Sequence, residues 1–158
     1  LRAKENRDIA PLDYATVHRM KGLFPNLHIS INGGITSLDQ AEAFLDAGLD
    51  GVMIGRSAYH NPTDILAQAD RRIYGTGADT TPEDVVAQML PYIDAHIDGG
   101  GKLNQITRHM MGLFAGRTGA RVWRRTLSEQ ASRPGADRQV LLEALDAMQT
   151  LAEAQEAV

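Results

Sequence analysis

Two short stretches combine residue types that could hold an anion: Asn32-Gly33-Gly34, after the apolar run LHISI, and Gly55-Arg56, at the end of the run GVMIG. Glycine reaches backbone angles that a side chain forbids, so main-chain N–H groups can come close to a ligand there. An arginine at such a turn adds a planar fork of donors that matches phosphate oxygens. The spacing fits a phosphate held between two successive strand ends. The plain alternative is a pair of tight strand-to-helix turns with Arg56 in a surface ion pair.

A second concentration lies further along. Residues 99–128 contain no Asp or Glu, yet include Lys102, Arg108, Arg117, Arg121, Arg124 and Arg125, in a chain of formal charge -4. On a helix, Arg121, Arg124, Arg125 and Ser128 share a face by their i, i+3, i+4, i+7 spacing, beside an apolar face of Ala120, Trp123 and Leu127. Trp123 is therefore expected in a core rather than as a platform for base stacking. Arginines without acidic partners are the footprint of a phosphate backbone, where each contact also releases counterions. An ordinary solvated face would intersperse acids.

The histidines offer less. His109, in RHMMGLF, sits in a helical pattern with no carboxylate close in sequence, and His60, in YHNP, reads as a helix stop before proline. His96 and Asp98 have too few companions for a metal site. No catalytic residue and no metal ligand is assigned.

These groups must be positioned by regular elements. An amphipathic helix from Asp13, with Val17, Met20 and Phe24 inward, precedes a strand over residues 27–31. Ser37 and Gln40 make a capping-box start for a helix that ends near Gly48, and residues 51–55 read as a strand covered on both faces. Strand, helix and strand form a βαβ unit, for which parallel pairing is the default. Beyond a short helical segment at residues 57–59, helices are expected over 65–73, from the Thr81-Pro82-Glu83-Asp84 cap with a kink at Pro91, over 103–114, over 120–131, and over 137–154 with Leu141, Leu145, Met148 and Leu151 inward.

The expected fold class is thus α/β plus all-α: the last two βα units of a (β/α)₈ TIM barrel over residues 1–75, then a helical bundle over 80–158. Two strands alone do not make a stable sheet, so the remaining strands are expected upstream of Leu1, in a longer protein. In such barrels the loops after the last strands commonly form a phosphate site. With 43% hydrophobic and 23% charged residues the composition is that of a globular protein. The chain has no cysteine, hence no disulfide or thiolate nucleophile. No apolar run approaches the roughly 20 residues a membrane span needs, and a cytoplasmic location is expected.

SINGGI, DGVMIGRSAYHNP and RHMMGLFAGRTGARVWRRTLSE together resemble the C-terminal half of the tRNA-dihydrouridine synthases of subfamily A. The resemblance implies an FMN-binding barrel joined to a helical tRNA-binding domain, and NADPH-dependent reduction of uridine in the tRNA D-loop. It further implies that Asn32, Gly33, Gly34, Gly55 and Arg56 hold the FMN phosphate, and that Arg121 and Arg124 contact tRNA. The opening KENR resembles a barrel loop in which Lys4 and Arg7 correspond to tRNA-contacting positions; by its residues alone it is a solvated charged loop. The family's proton donor is a cysteine, so by resemblance it lies upstream and the piece alone is inactive. Two rivals share part of the pattern: another FMN- or phosphate-binding barrel oxidoreductase explains the glycine pairs, and a non-catalytic RNA-binding helical module explains the arginines.

Overall fold

A computed structural model describes residues 11–156 of the chain, which pack as two compact units divided between Ser57 and Ala58. Lys4 and Arg7 lie outside the described residues.

In the first unit the order is α1 (Tyr14–Leu23), β1 (Ser30–Asn32), α2 (Leu38–Asp46) and β2 (Gly51–Met53). The strands pair in parallel, Ser30 with Gly51, Ile31 with Val52 and Asn32 with Met53, as expected for one helical crossover. Asp13 starts α1 by accepting from Thr16 N at 2.9 Å, and Ser37 starts α2 by accepting from Gln40 N at 3.2 Å. The Gln40 side chain completes only part of the expected box, because its Oε1 accepts from Thr36 N at 2.8 Å. Ile31, Ile35 and Leu49 form the core, with Tyr14 packed edge-on to Phe44 at 5.0 Å.

One clamp sets where the strands begin. Lys21 Nζ donates to the carbonyls of Pro25 and Leu27, each at 3.0 Å, and pairs with Asp50 at 2.7 Å. All three ammonium protons are engaged. The same Asp50 oxygen accepts from Ile29 N at 2.8 Å, tying the entrance of β2 to that of β1. The clamp takes the Leu27 carbonyl and the Ile29 N–H, leaving one cross-strand backbone bond there, Asp50 N to the Ile29 carbonyl at 3.1 Å, and the strand expected over 27–31 starts at Ser30 instead. The strand expected over 51–55 ends at Met53, and Met53 is exposed rather than covered on both faces. Met20 and Phe24 are likewise exposed, and α1 turns Tyr14 and Val17 inward.

α3 (Arg56–His60) carries the chain into the second unit, which contains α4 (Pro62–Ile65), α5 (Ala69–Tyr74), α6 (Pro82–Asp98), α7 (Asn104–Thr107), α8 (Ala120–Gln130) and α9 (Gln139–Glu156). The helix expected over 65–73 is broken because the Ala67 carbonyl accepts from Thr80 N at 2.9 Å instead of continuing the helical ladder. The helix expected over 103–114 is only α7 followed by turns. Gly112 lies against the carbonyls of His60 and Tyr59, where a Cβ would not fit, and the Met110 carbonyl is taken by the Trp123 indole at 2.9 Å. Helix α6 runs through Pro91 and opens on a full capping box between Thr81 and Asp84. The core centres on Trp123 and Phe114, with Val86, Ile93, Leu103, Leu127 and Leu141 around them. On α9, Val140, Leu141, Ala144 and Met148 are buried, Leu145 is partly so, and Leu151 is exposed, contrary to expectation. No helix among the described residues is long and apolar enough to cross a membrane.

Candidate functional site

Parallel pairing sends both glycine turns out of the same ends of adjacent strands. Asn32 stands opposite Met53, on strands that run roughly 4.8 Å apart, so Gly33-Gly34 and Gly55-Arg56 leave side by side. Gly33 has φ 109° and Gly34 φ 65°, both in the region that side chains disfavour. A Cβ at either would also come within 2.6 Å of Leu12 methyl carbons, so the turn is glycine for two reasons. Tyr14 Oη donates to the Gly33 carbonyl at 2.7 Å and fixes the orientation of that peptide. Tyr14 was not singled out by sequence, because its partner lies 19 residues away with no local pattern to join them.

Gly55 differs. Its φ is not left-handed, and a Cβ placed there would meet nothing within 4 Å, so open space stands over that strand end. Asn32, Gly34, Gly55 and Arg56 are exposed, with Arg56 at the first position of α3. A rigid glycine turn, a space-bordering glycine and an arginine at neighbouring strand ends form a donor set chemically suited to a phosphate monoester.

In the second unit, α8 exposes Arg121, Arg124, Arg125 and Ser128 and buries Ala120, Trp123 and Leu127, as its spacing requires. Trp123 is wholly buried and packs edge-on against Phe114 at 4.8 Å, which fixes how α8 is rotated and hence where its arginines point. The acid-free window of the sequence is not acid-free in space. Arg117 pairs with Glu83 at 2.8 Å, and Arg125 with Glu129 at 2.9 Å, one residue beyond the window. Arg121 and Arg124 make no ion pair among the described residues.

His109 is exposed in the turns after α7. Its Nε2 accepts from Arg108 Nε at 2.9 Å, so a neutral ring carries its proton on Nδ1 and donates it to Tyr59 Oη, also at 2.9 Å. His96 Nε2 donates to Gln105 Oε1 at 2.8 Å. Among the described residues no group of three or more His, Cys, Asp or Glu could hold a metal ion.

A parallel βα pair with a phosphate-suited turn at the strand ends places the first unit in the α/β class, and comparison with known proteins specifies the family. The family model described as dihydrouridine synthase matches residues 2–153. The chain belongs to the dihydrouridine synthase family, whose fold is the TIM barrel. It is 55% identical over 151 residues to a tRNA-dihydrouridine(20/20a) synthase of Shewanella oneidensis, covering 95% of this chain and 44% of that protein. A protein of the same name from Salmonella typhi is 54% identical over 146 residues, covering 92% of this chain and 43% of that one. The one from Vibrio parahaemolyticus is 47% identical over 146 residues, covering 92% and 44%. The chain spans less than half the length of these relatives.

Proposed function

We propose that the protein carrying this chain is a flavin-dependent tRNA-dihydrouridine synthase that reduces uridine to 5,6-dihydrouridine in the tRNA D-loop, with FMN as cofactor, NADPH as reductant and the cytoplasm as its location. The observation that carries this reading is the 55% identity to a tRNA-dihydrouridine(20/20a) synthase across 95% of the chain. In it, residues 1–75 are the last two βα units of the barrel and residues 80–158 the helical tRNA-binding domain.

FMN, when bound, supplies hydride chemistry that no side chain can. The work of these residues is binding. Asn32, Gly33 and Gly34 present a fixed turn to the cofactor phosphate, Gly55 keeps the neighbouring strand end open, and Arg56 neutralises the phosphate charge. Arg121 and Arg124, with Lys4 and Arg7 at the start of the chain, contact tRNA phosphates. Their contacts offset the cost of opening a folded D-loop to expose its base. The chain has no cysteine, and no proton donor is assigned within it. The test is dihydrouridine formation on an unmodified tRNA transcript by the full-length protein with FMN and NADPH. Absence of product with folded, flavin-loaded protein refutes the reading.

A further inference from the structure

We propose that the cleft between the α6–α7 loop and the α8–α9 loop takes up one unstacked nucleotide of the bound RNA, with its base edge on the Asn104 amide and its phosphate beside Lys102 and Arg133. The inference rests on the RNA-binding reading above. The cleft has a volume of about 530 Å³, which lies within the roughly 300–1,000 Å³ usual for small-molecule sites. Its walls divide by chemistry. Ile97, Pro134 and Ala136 supply apolar surface of the kind a base plane covers, while Lys102 and Arg133 are exposed and make no ion pair among the described residues. Asp137 is the acid on the lining, and its Oδ1 accepts from Gln139 N at 2.8 Å.

Asn104 makes the cleft specific. Its Nδ2 donates to Ser132 Oγ at 3.3 Å, while its Oδ1 is buried with no hydrogen-bond partner among the described residues. A buried polar atom left unpaired costs stability unless a further group completes it. The serine hydroxyl can donate or accept, so the amide can offer a ligand its carbonyl or, rotated, its two N–H donors. The edges of nucleobases carry the complementary donors and acceptors side by side, which a simple anion lacks. Arg121, Arg124 and Ser128 lie along one face of α8, and Ser132 continues their spacing past its end, so the arginine row leads to this cleft.

The test uses the full-length protein. AMP, CMP, GMP, UMP and inorganic phosphate are titrated separately while the Asn104 side-chain amide and the backbone amides of 101–104 and 132–137 are followed by NMR. At least one nucleotide should shift the Asn104 amide, and phosphate alone should bind more weakly without moving it. Phosphate equal to every nucleotide overturns the proposal. Asn104→Leu, which removes the unpaired acceptor at similar volume, should weaken tRNA binding about two- to tenfold, the equivalent of one net hydrogen bond, without altering the salt dependence or lowering Tm. Wild-type tRNA affinity in that variant overturns the cleft. If Asn104→Leu melts early, Lys102→Ala with Arg133→Ala decides, because their loss should flatten the slope of log affinity against log salt by about 0.7–0.9 per phosphate contact. An unchanged slope overturns the proposal. Arg121→Ala with Arg124→Ala is measured in parallel: an effect there with none at the cleft removes the cleft alone, and no effect at either removes the RNA-binding reading with it.

Discussion

Replacing Arg121 and Arg124 together by Ala separates local phosphate contact from general charge, because the structure supplies a matched control. Arg117→Ala with Arg125→Ala removes the same formal charge from the same region, but those two guanidiniums are paired with Glu83 and Glu129. If Arg121 and Arg124 each touch one phosphate, their loss flattens the slope of log affinity against log salt by about 1.4–1.8, at roughly 0.7–0.9 per contact. Between 50 and 200 mM salt that is a difference of about 7- to 12-fold, so the deficit of the double variant shrinks by about this factor as salt rises. The control should change the slope by less than half as much, since each cation is already partly neutralised by its acid. Exposed substitutions usually alter stability by within about 0.5 kcal/mol, so both variants should melt near wild type. The assay is tRNA binding by the full-length protein over a salt series, with flavin content as an internal check that should not move. Equal slopes for the two pairs would refute the reasoning, because binding would then depend on net charge and not on which arginines are available.

Arg56→Ala should weaken FMN retention about 10- to 150-fold, the equivalent of one charge-assisted contact of roughly 1.5–3 kcal/mol, and unchanged flavin affinity on titration removes it from the site. Gly34→Ala should cost about 1–3 kcal/mol from its left-handed backbone alone, so the same substitution made together with Leu12→Ala should recover stability only in part; full recovery would show that the Leu12 contact is the whole constraint. Trp123→Ala should cost about 3–5 kcal/mol by thermal unfolding, and a loss under about 1 kcal/mol would contradict its central place in the core. Asp50 is held below the usual carboxylate range first by the Ile29 N–H and then by Lys21, and Asp84 by the Thr81 hydroxyl and N–H. A depressed folded value means stability present above the ordinary aspartate value of about 3.9 and lost as pH falls below it. Acid titration of wild type against Asp50→Asn should show a shallower fall below pH of about 4 in the variant, and identical curves would dismiss the clamp.

The parts legible in sequence were those whose cause is local. Asp13, Ser37 and Thr81 announced their helices because a cap is satisfied within three residues, and the inward face of α8 followed from spacing alone. The elements that shifted were set by partners far along the chain. Lys21 and Asp50 decide where β1 starts, Thr80 breaks the helix expected over 65–73, and the Trp123 indole takes a carbonyl from the helix expected over 103–114. The same limit governed the sites. The glycine turns could be read from residue type, but the Tyr14 contact that orients them could not. The arginine window could be read as a composition, whereas its division into paired and available cations required Glu83, which lies 34 residues from Arg117.

Helix α8 joins folding to binding in one element. Its inner face places Trp123 and Leu127 at the centre of the second unit's core, and its outer face carries Arg121 and Arg124. The two arginines stand one turn apart only while the helix is formed, and in this packed unit it is held by its apolar face, since an isolated helix of 11 residues is marginal in water. An RNA that uses both arginines therefore binds the folded unit and not the unfolded chain, so it must stabilise that unit by mass action. The converse also follows. A core substitution off this helix, such as Ile93→Ala on α6, weakens apparent RNA affinity through the fraction of protein unfolded while the binding face itself is unaltered. Loss of contact and loss of fold are then separated by temperature: cooling restores affinity to a destabilised core variant and leaves the Arg121→Ala, Arg124→Ala variant weak.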